Sequence, residues 1–431
     1  MEERKVLVIA YYFPPLGLSG VQRVLKFVKY LPEFGWKPIV LTAAPKKYYA
    51  YDDTLLEDID NEKIIVYRTG KLPDNTSELK PRRFPSYFLQ KAGRAWLQTI
   101  YQPDSKIRWK KEALRLADRI FKEHRIDVVL ATAPPFTDFL IAREIYNKYH
   151  IPYLIDYRDE WIDNPFHFYA TPFHKLYSIK LEREVMQSAQ KAIVLTRSAK
   201  ERLLLRHRFV SHNDVIIIPH GYDSDDFARI INCPSDSENF IDYCPNPEKF
   251  TITHSGLFQD NRTPRYFLQA LSQFLSKNKE AREHIEARFI GLMRKNHLKF
   301  VKKFNLEDVV NITGYLNHSQ TIAQLLSSDV FWLMLDDNVR TPGKLYEYFG
   351  AKKTMLICAP QGTVRQIALE SKAAISSDPK DVDGIEKALT DIYRLWKSRT
   401  LPVPSDGFVS RFNRKILTEE LARELSLASE R

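Results

Sequence analysis

The chain has 431 residues, 44% of them hydrophobic, and a formal net charge of +11. That is too long for one ordinary core and suits two globular domains of about 200 residues each. No apolar run approaches the ~18 residues of a membrane span. The opening stretch Val6–Ala10 runs into Pro14-Pro15 without the pattern of a cleaved leader. Three cysteines, Cys233, Cys244 and Cys358, form an odd set without close pairing. They argue against a disulfide framework and a zinc site, so the cytoplasm is the expected compartment.

Along the chain, strand and helix patterns alternate. Lys5–Tyr12 is a dense apolar run of the kind a buried parallel strand needs. Gly17-Leu18-Ser19-Gly20 follows, and Val21, Val24, Leu25, Val28 and Leu31 then fall at helical spacing up to Gly35. Strands are expected at Pro38–Thr42, Asp127–Thr132, Pro152–Tyr157, Lys191–Thr196 and Val215–Pro219, with helices from Phe136, near His174–Ser188 and from Ser198. Residues 80–125 hold thirteen Lys/Arg, four Asp/Glu and seven aromatic residues, a net +9. Such a mixture suits an anionic membrane surface, or a solvated helical face with buried aromatics.

Residues 231–249 lack periodicity and read as a linker. A second alternating series supplies strands at Phe250–Ser255, Glu286–Gly291, Val309–Thr313, Asp329–Leu335, Thr354–Cys358 and Ala373–Ser376. The expected architecture is therefore α/β, with two doubly wound Rossmann-like domains facing a cleft. These are residues 1–230 and 250–405, and a closing segment 406–431 carries a helix expected to pack back on the first domain. In such folds ligands bind at the carboxyl ends of the strands, where turns expose helix N-termini and free amides.

Those turns hold the candidate chemistry. After the first strand, Gly17, Ser19 and Gly20 let backbone approach a phosphate or sugar, without the G-x-G-x-x-G spacing of a dinucleotide enzyme. After the fourth expected strand, Asp156-Tyr157-Arg158-Asp159-Glu160 crowds three acids and an arginine, as either a reactive group or a local ion pair. In the second half, Gly256 and Arg262 put glycine and a guanidinium at a strand end, suited to a pyrophosphate. Pro342 and Gly343 then open a helix through Lys344, Leu345 and Glu347, whose free amides suit phosphate and whose glutamate suits ribose hydroxyls. The pairs Asp58/Asp60, Asp223/Asp225 and Asp381/Asp383 read as helix caps and solvated loops rather than metal ligands.

Taken in order, these turns resemble glycosyltransferase family 4, retaining enzymes of GT-B fold, over nearly the whole chain. Tyr12-Phe13-Pro14-Pro15 with its glycine turn resembles the family's opening. Ile151–Trp161 is similar to its acceptor-side catalytic loop, and Pro219-His220-Gly221-Tyr222-Asp223 to its Pro-Asn-Gly-Val-Asp. Arg262 stands where its phosphate-binding lysine lies, and Lys344-Leu345-Tyr346-Glu347-Tyr348 resembles its donor-binding Lys-Leu-Phe-Glu-Tyr. This chain departs at Val339, where a first glutamate is common, at Leu257 for an arginine, and at Arg158 for a histidine.

The resemblance implies a metal-independent, hexosyltransferase-type enzyme acting in surface polysaccharide biosynthesis. It would move a sugar from a nucleotide-sugar donor to a glycan or lipid-linked acceptor. Arg158, Asp159, Arg262 and Glu347 would be catalytic, Gly256, Gly343, Lys344 and Leu345 donor-binding, and Gly17, Ser19 and Gly20 an acceptor or phosphate loop. No cofactor beyond the nucleotide-sugar substrate and no nucleic acid is expected. Residues 80–125 are expected to touch the inner face of the cell membrane. A nucleotide-sugar epimerase or phosphorylase of the same fold, or a non-catalytic nucleotide-sugar-binding protein, would share most of these features.

Overall fold

The computed structural model of the chain describes all residues except 1, 2, 18, 46, 47, 49, 71–86, 166, 234–245, 259–261 and 431, and gives residues 19 and 87–91 by backbone only. Two units emerge. Met1–His220 with Arg414–Arg431 form the first, and Gly221–Asn413 the second.

The first unit is built on seven parallel strands: β1 (Arg4–Ile9), β2 (Trp36–Ala43), β3 (Ile65–Thr69), β4 (Val128–Ala133), β5 (Tyr153–Tyr157), β6 (Lys191–Val194) and β7 (Val215–Ile217), in the order β3-β2-β1-β4-β5-β6-β7. The unbroken apolar run of β1 reflects helices on both sides of the sheet. Val6 and Val8 pack with Val24, Leu25 and Leu421, while Leu7 and Ile9 pack with Ala113, Ala117 and Phe139. The helix Arg414–Ser429 lies on the helix Ser19–Tyr30, so the end of the chain completes the first core.

The second unit repeats the plan with six parallel strands, β8 (Phe250–Ser255), β9 (Ile285–Ile290), β10 (Val310–Gly314), β11 (Val330–Met334), β12 (Thr354–Cys358) and β13 (Ala374–Ser377), in the order β10-β9-β8-β11-β12-β13. In both sheets the order reverses beside the first strand of the unit, the switch point at which doubly wound folds bind ligands.

Several expectations need adjustment. The units divide at His220/Gly221 rather than at residue 230, because the helix Ser224–Ile231 packs on the helix His318–Leu326, with His318 Nε2 2.8 Å from Asp226 Oδ2. Residues 406–413 belong to the second unit, where Phe408 and Phe412 pack on Phe349 at ring-centroid distances of 5.1 and 5.5 Å. Strand β3 was not anticipated, since Ile65–Thr69 is half-buried and holds Arg68. Of the expected linker, 234–245, including Cys244, lie outside the described residues.

The acidic pairs divide too. Asp223 and Asp381 cap helices, but Asp58 is buried against Lys26 at 2.5 Å and Lys29 at 3.4 Å rather than solvated. Within the basic segment, the helices Tyr87–Ile100 and Trp109–Glu123 differ in role. Trp109 is core, with Nε1 donating to Thr69 Oγ1 at 2.7 Å, and Phe121 stacks on Tyr149 at 4.1 Å. Lys80, Arg82, Arg83 and Phe84, and the side chains of Tyr87, Phe88 and Lys91, lie outside the described residues.

One buried ion pair joins a helix to β4, β5 and the turn past β7 in the first unit. Arg23, on the helix Ser19–Tyr30, points its guanidinium at Asp156 on β5, with Nε 3.1 Å from both carboxylate oxygens and Nη2 2.8 Å from Oδ1. Both side chains are 1% exposed. Thr132 Oγ1 of β4 donates to Asp156 Oδ2 at 2.9 Å, and the remaining guanidinium protons go to the carbonyls of Ile218 at 2.9 Å and Pro219 at 2.7 Å, just past β7. Removing one partner of such a pair leaves an uncompensated buried charge. Arg23→Ala is therefore expected to lower unfolding free energy by about 3–5 kcal/mol in urea titration, and R23M with D156L together to recover much of that. A loss below about 1 kcal/mol for Arg23→Ala would mean that the pair is not structural.

Candidate active site

In the first unit, the turns after β1, β4 and β5 converge on Arg158. Its backbone N–H donates to Ala133 O at 2.9 Å, and its side chain is buried. Nη1 donates to the Gly20 carbonyl at the start of the helix Ser19–Tyr30, and Nη2 to the Pro134 carbonyl after β4. Nε has no hydrogen-bond partner among the described residues. A Cβ on Gly20 would lie 3.6 Å from Nη1, an ordinary contact, so the guanidinium packs directly against this turn. Gly17 anchors the same turn, with its N–H donating to Ala50 O at 3.0 Å. Asp159 is half-buried and close enough to favour the charged Arg158. The side chain of Ser19 lies outside the described residues. Glu160 is turned away into an ion pair with Arg202, whose Nε is 2.7 Å from Oε2.

The sequence reading had passed over Asp138, in the first turn of the helix Thr137–Tyr149. It is fully buried, with Oδ2 accepting the Tyr11 N–H at 2.9 Å and Oδ1 lacking a partner among the described residues. Burial, and then Asp104 nearby, push its carboxyl well above the usual carboxylate range. The signal available was an acid directly after a strand and a Pro-Pro turn. His220, in the loop after β7, is held neutral by burial and by Arg23, Arg414 and Arg158. The carboxyl ends of β1, β4, β5 and β7 thus present a carboxyl whose ionisation burial disfavours, a neutral imidazole and a buried guanidinium.

In the second unit, three more expected residues meet. Gly256 follows β8 with φ +122°, and a Cβ there would lie 3.0 Å from Lys344 Nζ. Glycine is required for both reasons. His254 Nδ1 donates to the Trp332 carbonyl at 3.0 Å, which leaves Nε2 as an acceptor, and Lys344 Nζ donates to it at 3.3 Å. Burial, and then repulsion from Arg262, hold the Lys344 ammonium well below its ordinary 10.5, with Glu347 opposing. His254 is lowered well below 6.5 by burial and then by Lys344. Arg262 is within electrostatic reach of Lys344, His254 and Asp336.

The helix Gly343–Gly350 begins at this cluster after Pro342. Leu345 is fully buried beneath it, and Tyr348 Oη accepts the Ser255 N–H at 2.9 Å, fixing the helix to β8. Glu347 is half-buried, one turn in. Val339, where a glutamate is common in the resembled family, lies in a turn closed by Asp337. Oδ1 of that residue takes the N–H groups of Val339 at 3.0 Å and Arg340 at 2.8 Å. The Arg340 side chain pairs with Asp337 and Asp336 at 2.8 and 3.3 Å. A helix N-terminus, a glycine at positive φ and two cations that disfavour one another together suit an anion.

Comparison with known proteins bears on the family and the fold. Residues 19–226 match the model of Glycosyltransferase Family 4. No curated protein sequence matches the chain. Among solved structures, it is similar to a glycosyltransferase from Rickettsia africae, with 15% identity, 99% of each chain covered and a TM-score of 0.62. It is also similar to sucrose-phosphate synthase from Thermosynechococcus elongatus, with 14% identity, 99% and 100% covered, and a TM-score of 0.62. The Anabaena protein HepE in complex with UDP and glucose matches with 12% identity, 98% and 99% covered, and a TM-score of 0.62.

The depressed lysine carries a pH signature. Between the lowered folded value and 10.5 the unfolded chain binds more protons at Lys344, so stability from this group rises with pH through that window. Lys344→Met is therefore expected to be more stable than wild type near neutral pH, with the difference shrinking toward pH 10.5. Urea unfolding of both proteins across that range checks it, and a difference that widened with pH would contradict the assignment.

Proposed function

We propose that this family 4-like chain of GT-B fold is a retaining, metal-independent glycosyltransferase. It would take a hexose from a nucleotide-sugar donor and place it on a glycan or lipid-linked acceptor in the cytoplasm, for a surface polysaccharide. The observation that carries the reading is the cluster of Lys344, Arg262 and His254 at the opening of the helix Gly343–Gly350, beside Gly256. Desolvation and mutual repulsion make the two cations costly together, and a diphosphate at the helix N-terminus relieves both terms. The bound UDP of the Anabaena relative makes a uridine diphosphate sugar the first donor to try.

In this reading Arg262, Lys344 and the amides of Gly343 and Lys344 stabilise charge on the diphosphate as the bond from the anomeric carbon to its phosphate oxygen breaks, and buried Leu345 seats the helix. The acceptor oxygen forms its bond on the same face of the sugar, and nucleoside diphosphate and a proton are the co-products. Glu347 accepts hydrogen bonds from the ribose. In the first unit, Gly17, Ser19 and Gly20 supply backbone for the acceptor or the transferred sugar. Arg158 serves by holding the Gly20 and Pro134 turns in place, with Asp159 beside it. Metal is dispensed with because cations and helix amides neutralise the leaving group.

Three outcomes are expected. Glu347→Ala weakens UDP binding by roughly 1–3 kcal/mol in calorimetry, the scale of a hydrogen bond to a charged group. Arg262→Ala lowers both diphosphate affinity and turnover, and unchanged affinity in both variants would remove the site. Turnover with a suitable acceptor, read as nucleoside diphosphate release, survives EDTA, whereas a complete loss that Mg²⁺ restores would refute metal independence. Conversion of the donor without any acceptor would instead indicate the epimerase reading.

A further inference from the structure

At the end of the helix Tyr87–Ile100, polar groups meet the protein. Gln98 Oε1 accepts the Phe168 N–H at 2.9 Å, the Thr99 carbonyl accepts from His174 Nε2 at 3.1 Å, and just past the helix Gln102 Oε1 accepts from Ser178 Oγ at 3.0 Å. Its apolar residues Trp96, Leu97 and Ile100 face outward, with Trp96 68% exposed. The hydrogen bonds run to the loop before the helix Pro172–Ser188 and to that helix's first turns. There Phe173, Leu176 and Tyr177 are exposed as well, Phe173 at 79% and Leu176 at 60%. Sixteen large hydrophobic side chains are exposed among the described residues, and six of them fall within 96–100 and 173–177. Single exposed apolar residues are ordinary, but two adjoining clusters on hydrogen-bonded neighbours mark an interaction surface.

We propose that this surface seats on an anionic lipid bilayer. The occupant follows from charge. Residues 92–111 and 167–183 carry eight Lys/Arg and two acids, Asp104 and Glu182. Both acids are turned inward. Asp104 accepts from Thr137 Oγ1 at 2.9 Å and the Lys106 N–H at 2.8 Å, and Glu182 holds Arg206 and His207, each at 2.8 Å. Beyond these windows Glu112 is exposed, and Glu184 pairs with Arg143 at 2.9 Å and Lys180 at 4.0 Å, so the balance near the patch stays basic, with Lys175 exposed on the same helix as Phe173. A tryptophan and a phenylalanine amid basic residues suit headgroup depth, where apolar insertion and attraction to acidic lipid act together. The surface is narrower than the 80–125 segment and includes a second helix far along the chain. It rests on the proposed function for its purpose, bringing the first unit to a lipid-linked acceptor.

Flotation of the full chain with phosphatidylcholine vesicles, with and without phosphatidylglycerol, tests it. The wild type is expected to float with the acidic vesicles at low salt and not with the neutral ones. W96S/F173S/L176S is expected to stay behind with an unchanged melting temperature, because all three side chains are exposed. UDP-induced thermal shift, read on the same samples, separates this inference from the donor reading. Flotation without a UDP shift would strike the donor site alone, and a UDP shift without flotation would strike this surface alone. Wild type that ignores acidic vesicles, or a triple variant that floats as well as wild type, overturns the proposal. So does a wild-type dimer that the triple substitution converts to monomer without any vesicle binding, which would make the face a contact between copies.

Discussion

The helix Ser19–Tyr30 and the turns beside it depend on the buried pair of Arg23 and Asp156. A carboxylate at the end of a central parallel strand has no water to solvate it, and burial alone would make it a liability. Arg23 and Thr132 together answer that, and Arg23 in turn satisfies the two carbonyls past β7. The pair therefore fixes the helix Ser19–Tyr30 to β4, β5 and β7 at once. With that helix fixed, Gly20 presents its carbonyl to Arg158, and Arg158 gathers the turns after β1, β4 and β5. The candidate acceptor side is a consequence of one charge pair in the core.

The second unit reaches a similar end by the opposite means. Its site concentrates positive charge that its own groups leave in tension. Lys344 is crowded against Gly256, donates to His254 Nε2 and is repelled by Arg262. A folded protein tolerates such an arrangement where a ligand relieves it, and perturbed groups of this kind concentrate at functional sites. Gly256 and Gly291 both adopt positive φ so that the two turns can close on each other, with the Gly256 carbonyl 2.9 Å from a Cβ that Gly291 lacks.

The strands of both units were legible because buried parallel strands read as unbroken apolar runs, and Phe250–Ser255 and Thr354–Cys358 match residue for residue. Edge strand β3 was not legible, since half-burial leaves Tyr67 and Arg68 in an otherwise apolar run. Gly20 with Arg158, and Gly256 with Lys344, were each singled out at separate turns, and the fold brings each pair together. What the sequence concealed was the use of charge. Arg158 and Glu160 stand two residues apart, yet Glu160 pairs with Arg202 while Arg158 binds carbonyls. Asp138 was invisible because nothing in its neighbours announces that its carboxyl will be sealed from water. Aromatic spacing likewise gave no means to tell buried Trp109 from exposed Trp96.

The central claim is that the second unit holds a diphosphate beside a lysine whose ammonium is disfavoured by burial and by Arg262. Calorimetry of UDP binding at about pH 9, in two buffers of different ionisation enthalpy, tests it most directly. The diphosphate is then fully ionised and Lys344 is the group placed to respond. The account predicts binding with net proton uptake, which is lost in Lys344→Met. Binding with no proton exchange, or with proton release, would contradict it.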